Sequence, residues 1–233
     1  MKKALGAFAV VLVVALAGLW WLRGNVDHLV ASAITRYGSA MTGSAVKVGS
    51  VNLDTANGRG SLHELTVANP PGFRLPYAFK ANTIELEVDL LTLTDDVVLV
   101  RKIAVLAPEI GYEKGQVQTN IDAIQKNIAT YLGPSKPGSK GKKLIVQDFV
   151  IRNARAVARA PLVGDQTATV SLADIHLRNL GQAQGGLTPG ELGQEVTNAL
   201  ELQLMRTVRW ESVVRATGDA LNKAGNAIKG LFK

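Results

Sequence analysis

The 233-residue chain contains no cysteine. This excludes disulfides, thiolate zinc sites, a thiol nucleophile and a lipid-modified N-terminal cysteine. Histidine is almost as scarce. Only His28, His63 and His176 occur, none with a second histidine at metal-ligand spacing, and there is no HExxH segment. A G-x-S-x-G nucleophile elbow is also missing. Charged residues make up 19% of the chain against 47% apolar, a lean share that fits a protein in contact with lipid.

What charge there is leans positive, with a formal net charge of +7 and a pI near 9.7. That balance favours anionic partners, either nucleic acid or lipid headgroups. Lys136, Lys140, Lys142 and Lys143 cluster in the segment GPSKPGSKGKK, but no aromatics interleave them to stack bases. The same segment fails as a phosphate-binding loop, because Ser139 stands where that motif needs lysine after its second glycine. It reads as a flexible basic linker.

Lys2 and Lys3 precede nineteen residues without a charge, Ala4 to Leu22. At ~1.5 Å per residue, a helix of that length nearly spans the ~30 Å hydrocarbon layer. Trp20, Trp21 and Arg23 then fall at the membrane interface. We therefore expect a transmembrane anchor over 1–24, with the N-terminus cytoplasmic and the body exported. The rival reading is a signal peptide cleaved after Ala15-Leu16-Ala17, against which the apolar run continues to Leu22. Either reading exports the chain and argues against nucleic acid as a partner.

Val26, Leu29, Val30, Ala33, Ile34, Tyr37, Ala40 and Met41 recur at helical spacing, predicting an amphipathic helix over 25–43. It packs on the body or lies on the membrane surface. A β domain follows over 44–187, opening with two strand patterns around Gly58-Arg59-Gly60. Ile84, Leu86, Val88 and Leu90 alternate with Glu85, Glu87 and Asp89, as in a strand with one wet face. That acidic row could form a carboxylate pair or a calcium patch, but a solvated face is the simpler reading.

Other strands share an apolar pattern with a double step in the middle. It occurs at Val46, Val48, Val51 and Leu53, and at Val98, Val100, Ile103 and Val105. It recurs at Leu144, Val146, Phe149 and Ile151, and at Val170, Leu172, Ile175 and Leu177; Leu62, Leu65 and Val67 keep its last three positions. A β-bulge at each double step returns the apolar residues to one face while bending the strand. Aligned bulges would curl the sheet into a gutter. Ser61–Asn69 also echoes Ser171–Asn179, which suggests two related halves of one antiparallel sheet. Glu109 and Glu113 have no basic or catalytic neighbour that the sequence places beside them.

Thr119-Asn120 caps a predicted helix to about residue 132, with Ile121, Ile124, Ile128, Tyr131 and Leu132 on one stripe. Thr188, Pro189 and Glu191 form a capping-box start for a helical segment expected to run over 188–233, with an apolar side from Leu192 to Phe232. This segment packs on the sheet, or lies on a membrane or a partner. The expected class is α+β, with an N-terminal transmembrane helix, a curved and mostly antiparallel sheet with flanking helices, and a long C-terminal amphipathic segment.

The ordered series Tyr37-Gly38-Ser39, Thr42-Gly43-Ser44, Val46-Lys47-Val48, Gly58-Arg59-Gly60-Ser61-Leu62, Asn69-Pro70-Pro71-Gly72-Phe73, Pro108-Glu109-Ile110-Gly111-Tyr112-Glu113 and Asn120-Ile121-Asp122-Ala123-Ile124 resembles the N-terminal module of AsmA-like bacterial envelope proteins. The likeness covers about Ala4 to Leu132 well and the rest loosely. It implies an inner-membrane anchor, a periplasmic body built on a curved sheet, and a role in envelope lipid homeostasis. Large members are credited with long apolar gutters that carry phospholipid between membranes. Strands of about ten residues at ~3.3 Å each make this body too small to bridge a periplasm alone. The resemblance carries over no catalytic residue.

Three functions compete. A lipid-handling module would hold phospholipid or glycolipid against Ile84, Leu86, Val88, Leu90, Val98, Val100, Ile103, Val105, Phe149 and Ile151. An adaptor would cover that surface with its own helices and bind another envelope protein. An unrecognised enzyme is the remote third. No cofactor, metal or catalytic residue is expected.

Overall fold

A computed structural model describes residues 26–132, 142–160 and 166–209. The expected anchor, with Trp20, Trp21 and Arg23, lies outside these residues, as do most of the basic linker and the chain beyond Arg209. No helix among the described residues is long and apolar enough to cross a membrane. Among the described residues the fold is α+β, with three α-helices and a mixed, mostly antiparallel sheet of ten strands. In chain order come α1 (Val26–Thr42), β1 (Val46–Lys47), β2 (Ser50–Asp54), β3 (Arg59–Ala68), β4 (Tyr77–Val88), β5 (Val97–Leu106), β6 (Glu109–Glu113), α2 (Asn120–Leu132), β7 (Lys143–Arg152), β8 (Arg155–Arg159), β9 (Ala168–Ser171), β10 (Ile175–Leu180) and α3 (Pro189–Thr207).

The short strands are broken lengths of longer ones. β5 and β6 meet at Ala107-Pro108, and β7 and β8 at Asn153-Ala154. Both pairs run parallel in one constant register, Val97 opposite Lys143 through to Glu113 opposite Arg159. The α2 segment is the crossover that a parallel pair requires. β4 lies antiparallel to β5 and β6, β3 to β4, and β1 and β2 both pair with β3. On the far side, β10 and β9 pair with β7 and β8.

The breaks fall on one line across the sheet. Register pairs on either side place Gly49, Glu64, Asn82, Ala107, Asn153 and Ala173 in a single row. Glu64, Ala107 and Asn153 have positive φ, at 55°, 46° and 54°. A second row passes through Arg101, Gln147 and Asn179, and the register of β4 against β5 shifts beside Arg101. The double step at Arg101-Lys102 is therefore a bulge, matched by the unpaired Gln147 on β7. Val98, Val100, Ile103 and Val105 are accordingly buried together, and so are Leu144, Val146, Phe149 and Ile151.

Three expectations are corrected by the strand boundaries. Val170 and Leu172 belong to the end of β9 and the turn after it, while Ile175 opens β10, so that double step is a break between strands, as is the one at Gly49-Ser50 between β1 and β2. The echo fails for the same reason: Ser61–Ala68 lies within β3, whereas Ser171–Asn179 crosses from β9 into β10. The repeated unit is instead β5–β6 against β7–β8. Leu90 is also no strand residue, because the chain leaves β4 at Val88 and enters a single 3-10 turn, Leu90–Thr92.

One core joins the sheet to all three helices. Val30, Ile34 and Met41 of α1, Ile121, Ile124 and Ile128 of α2, and Leu192, Val196, Leu200 and Leu204 of α3 share it with the strands. Each fully buried side chain of this size contributes roughly 1.5–3 kcal/mol. The stripe on α1 is narrower than its sequence pattern, with Leu29 and Tyr37 exposed. Thr188 and Glu191 form the expected capping box of α3, but the helix ends at Thr207 and Val208 is extended. The helix beginning at Pro189 is thus not continuous through the expected C-terminal segment.

Candidate functional site

The residues expected to hold lipid are core residues. Ile84, Leu86, Val88, Val98, Val100, Ile103, Val105, Phe149 and Ile151 are each at most 8% exposed. Only Leu90 is half-buried. Space left between α1 and strands β2–β4, beside Val30, Ile34, Leu62 and Ile84, amounts to about 10 Å³. That is room for one water at most. Among the described residues this apolar face is buried, and α1, α2 and α3 share its core.

At one end of the sheet lies a buried polar network. Glu113 on β6 and Arg159 on β8, 3% and 5% exposed, form an ion pair of 2.7 Å. The Glu113 carboxylate also accepts the backbone N–H groups of Arg74 and Leu75, at 2.8 Å each. Its own N–H donates to Asn120 Oδ1 at 2.9 Å. Asn120 Nδ2 in turn donates to Asn69 Oδ1 and to the Gly111 carbonyl, each at 2.7 Å, and Asn69 Nδ2 donates to the Leu75 carbonyl. Glu109 accepts the Tyr77 hydroxyl at 2.8 Å. Burial, reinforced by this bond, pushes the Tyr77 phenol up to about 12.

Both glutamates thus have partners that sequence spacing did not place. The signal was available, since Glu113 and Arg159 are equivalent positions of the doubled strand unit. The network also draws together Asn69-Pro70-Pro71-Gly72-Phe73, Pro108–Glu113 and Asn120–Ile124, which are distant in sequence. Its members bond one another around a buried carboxylate, an arrangement that holds loops and strands in place. Glu113, Asn120 and Arg159 are all buried.

The opposite face of the sheet is wet and orderly. Asp54, Arg59, Glu87, Lys102, Asp148 and Arg178 are successive register partners across the strands, alternating in sign throughout. Arg59 lies 3.7 Å from Glu87, and Arg178 lies 3.9 Å from Asp148. The acidic row read from sequence is neutralised in the same way: Glu85 sits 3.5 Å from Lys102, and Asp89 sits 2.9 Å from Arg101. A carboxylate row so paired is a poor calcium patch.

His176 Nε2 lies 2.6 Å from Asp148 Oδ1, and this hydrogen bond holds the Asp148 carboxyl below its usual range. His63 sits between the hydroxyls of Ser61 and Thr83, at 3.2 and 3.4 Å, with no carboxylate bonded to it among the described residues. That arrangement lacks the third group that orients a catalytic base. No cluster of three metal-ligating side chains occurs among the described residues. No protein-family model matches the chain, and no curated protein matches it.

Proposed function

We propose that this chain is a non-catalytic protein of the bacterial cell envelope, held at the inner membrane by residues 1–24, with its body in the periplasm serving envelope and lipid homeostasis as an adaptor. The observation that carries the adaptor reading is burial: nine of the ten residues that a lipid carrier would leave open are at most 8% exposed, in a core shared with α1, α2 and α3. Bulges aligned in rows bend strands together, which supports a curved sheet whose hollow the helices fill. The resemblance to AsmA-like proteins supports the location, and three of its seven segments, Asn69–Phe73, Pro108–Glu113 and Asn120–Ile124, meet around Glu113 and Asn120. The polar face with its alternating charges is then the surface offered to another envelope component.

A photoreactive fatty acid built into cellular phospholipid tests this reading on the full-length protein. Crosslinks are expected in peptides from residues 4–22 and not in peptides carrying Ile103 or Phe149. Crosslinks to Val97–Leu106 or Lys143–Arg152 would restore the lipid carrier. The location is checked separately by labelling a single introduced cysteine with a membrane-impermeant maleimide. Protection of Val117→Cys after the outer membrane is opened would place the body in the cytoplasm.

A further inference from the structure

Two large apolar side chains among the described residues stand almost wholly in solvent, Leu91 at 87% and Val117 at 96% exposed. They mark opposite ends of the sheet. Leu91 lies on the turn after β4, and the β2–β3 turn packs beside it, with the Gly58 carbonyl accepting the Val88 N–H at 2.8 Å. That same β2–β3 end shares a shallow depression with Asp27 in the first turn of α1. Val117 belongs to the turn between β6 and α2, where Gly115 bonds back to Gln118.

The Leu91 turn is rigidly built. Asp89 Oδ1 accepts the Leu91 N–H at 3.1 Å, and Arg101 holds the other carboxylate oxygen at 2.9 Å. The Thr92 hydroxyl donates to the Asp89 carbonyl and accepts the Leu99 N–H. Lys142 Nζ donates to the carbonyls of Leu93 and Asp95, at 2.8 and 2.7 Å. A leucine fixed outward in this way loses little freedom when it is covered.

From this geometry we infer that the Leu91 turn is a membrane-docking tip that rests in the interfacial layer of the bilayer beside the anchor. The inference rests on the anchor reading proposed above. Only residues 23–25 separate the uncharged run Ala4–Leu22 from the start of α1, so an anchored chain presents this end of the body to lipid. One leucine is too little to bind a membrane alone. Tethered next to the bilayer it acts at high effective concentration and sets the orientation of the body. Among the described residues acids and bases are mixed at this end, Asp27 and Asp54 with Arg59 around one depression and Asp89 paired with Arg101, so the contact we infer is the apolar one.

The absence of native cysteine allows the test on the full chain. Leu91→Cys, Val117→Cys and Leu12→Cys are each labelled with an environment-sensitive fluorophore and reconstituted into phosphatidylcholine vesicles, with and without phosphatidylglycerol. The Leu91 label is expected to emit to the blue of the Val117 label. Spin-labelled lipid should quench it several-fold more strongly, equally in both lipids and at high salt. Equal polarity at the two sites, with the Leu12 label in lipid, would overturn the docking tip and leave the anchor standing. A water-exposed Leu12 label would overturn both. A Leu91 label covered only in whole-cell membranes would assign the tip to a protein partner and reject the bilayer, and a requirement for phosphatidylglycerol would overturn the apolar contact in favour of a headgroup-driven one.

Discussion

Glu113 and Arg159 lie 2.7 Å apart on neighbouring parallel strands, at the same sequence offset, 46 residues, as the other pairs between those strands. Removing the cation alone strands a buried carboxylate. Arg159→Met is expected to cost about 3–5 kcal/mol in chemical denaturation of the full-length protein. Pairing it with Glu113→Leu should recover only part of this. The amides of Arg74 and Leu75 then lose their acceptor, at about 1–3 kcal/mol for each group left buried. Full recovery would show that the loop bonds contribute nothing.

Gly111 belongs to the same network for a steric reason. A Cβ at that position would collide with the Tyr77 carbonyl oxygen, which is backbone and cannot swing aside. Gly111→Ala should therefore destabilise by about 1–3 kcal/mol, read as a lowered denaturation midpoint with an unchanged slope.

The charge row makes a prediction with a salt signature. Lys102 stands between Glu87 and Asp148 in register, with Glu85 at 3.5 Å. Lys102→Glu would set like charges side by side on three adjacent strands. A loss of roughly 1 kcal/mol is expected at low ionic strength, shrinking as salt is added. A loss that ignores salt would point to packing instead.

Tyr77 supplies an alkaline marker. Its phenol is raised from 10.0 to about 12, by burial first and by the Glu109 hydrogen bond second. The folded state thus favours the protonated form. The stability contributed is whole below pH 10 and is lost as pH rises through about 12. In an ultraviolet titration, the last of the four tyrosines to ionise should vanish in Tyr77→Phe.

Local patterns carried much of this fold, and long-range pairing carried the rest. The double steps at Arg101-Lys102 and Gln147-Asp148 were readable because burial demands that Val100 and Ile103 share a face. That β5 and β7 lie parallel in matched register was not readable, since nothing local in either strand names its neighbour. Glu113 therefore looked isolated, although its cation occupies the same place in the copied unit. The echo between Ser61–Asn69 and Ser171–Asn179 misled because a turn after Leu172 can mimic the spacing of a bulge. Val208 ends α3 although the apolar period runs past it, because backbone geometry at one residue outweighs a periodic stripe. The candidate lipid surface is buried, and the helices that share its core pack from far along the chain.

The shared crease through Ala107 and Asn153 constrains how the molecule can change size. A residue inserted on one side of that line, anywhere between Val97 and Glu113, moves Glu113 out of step with Arg159 unless the companion strand gains one too. Insertions and deletions inside the sheet must therefore come in pairs. Unpaired length variation belongs to the connecting turns.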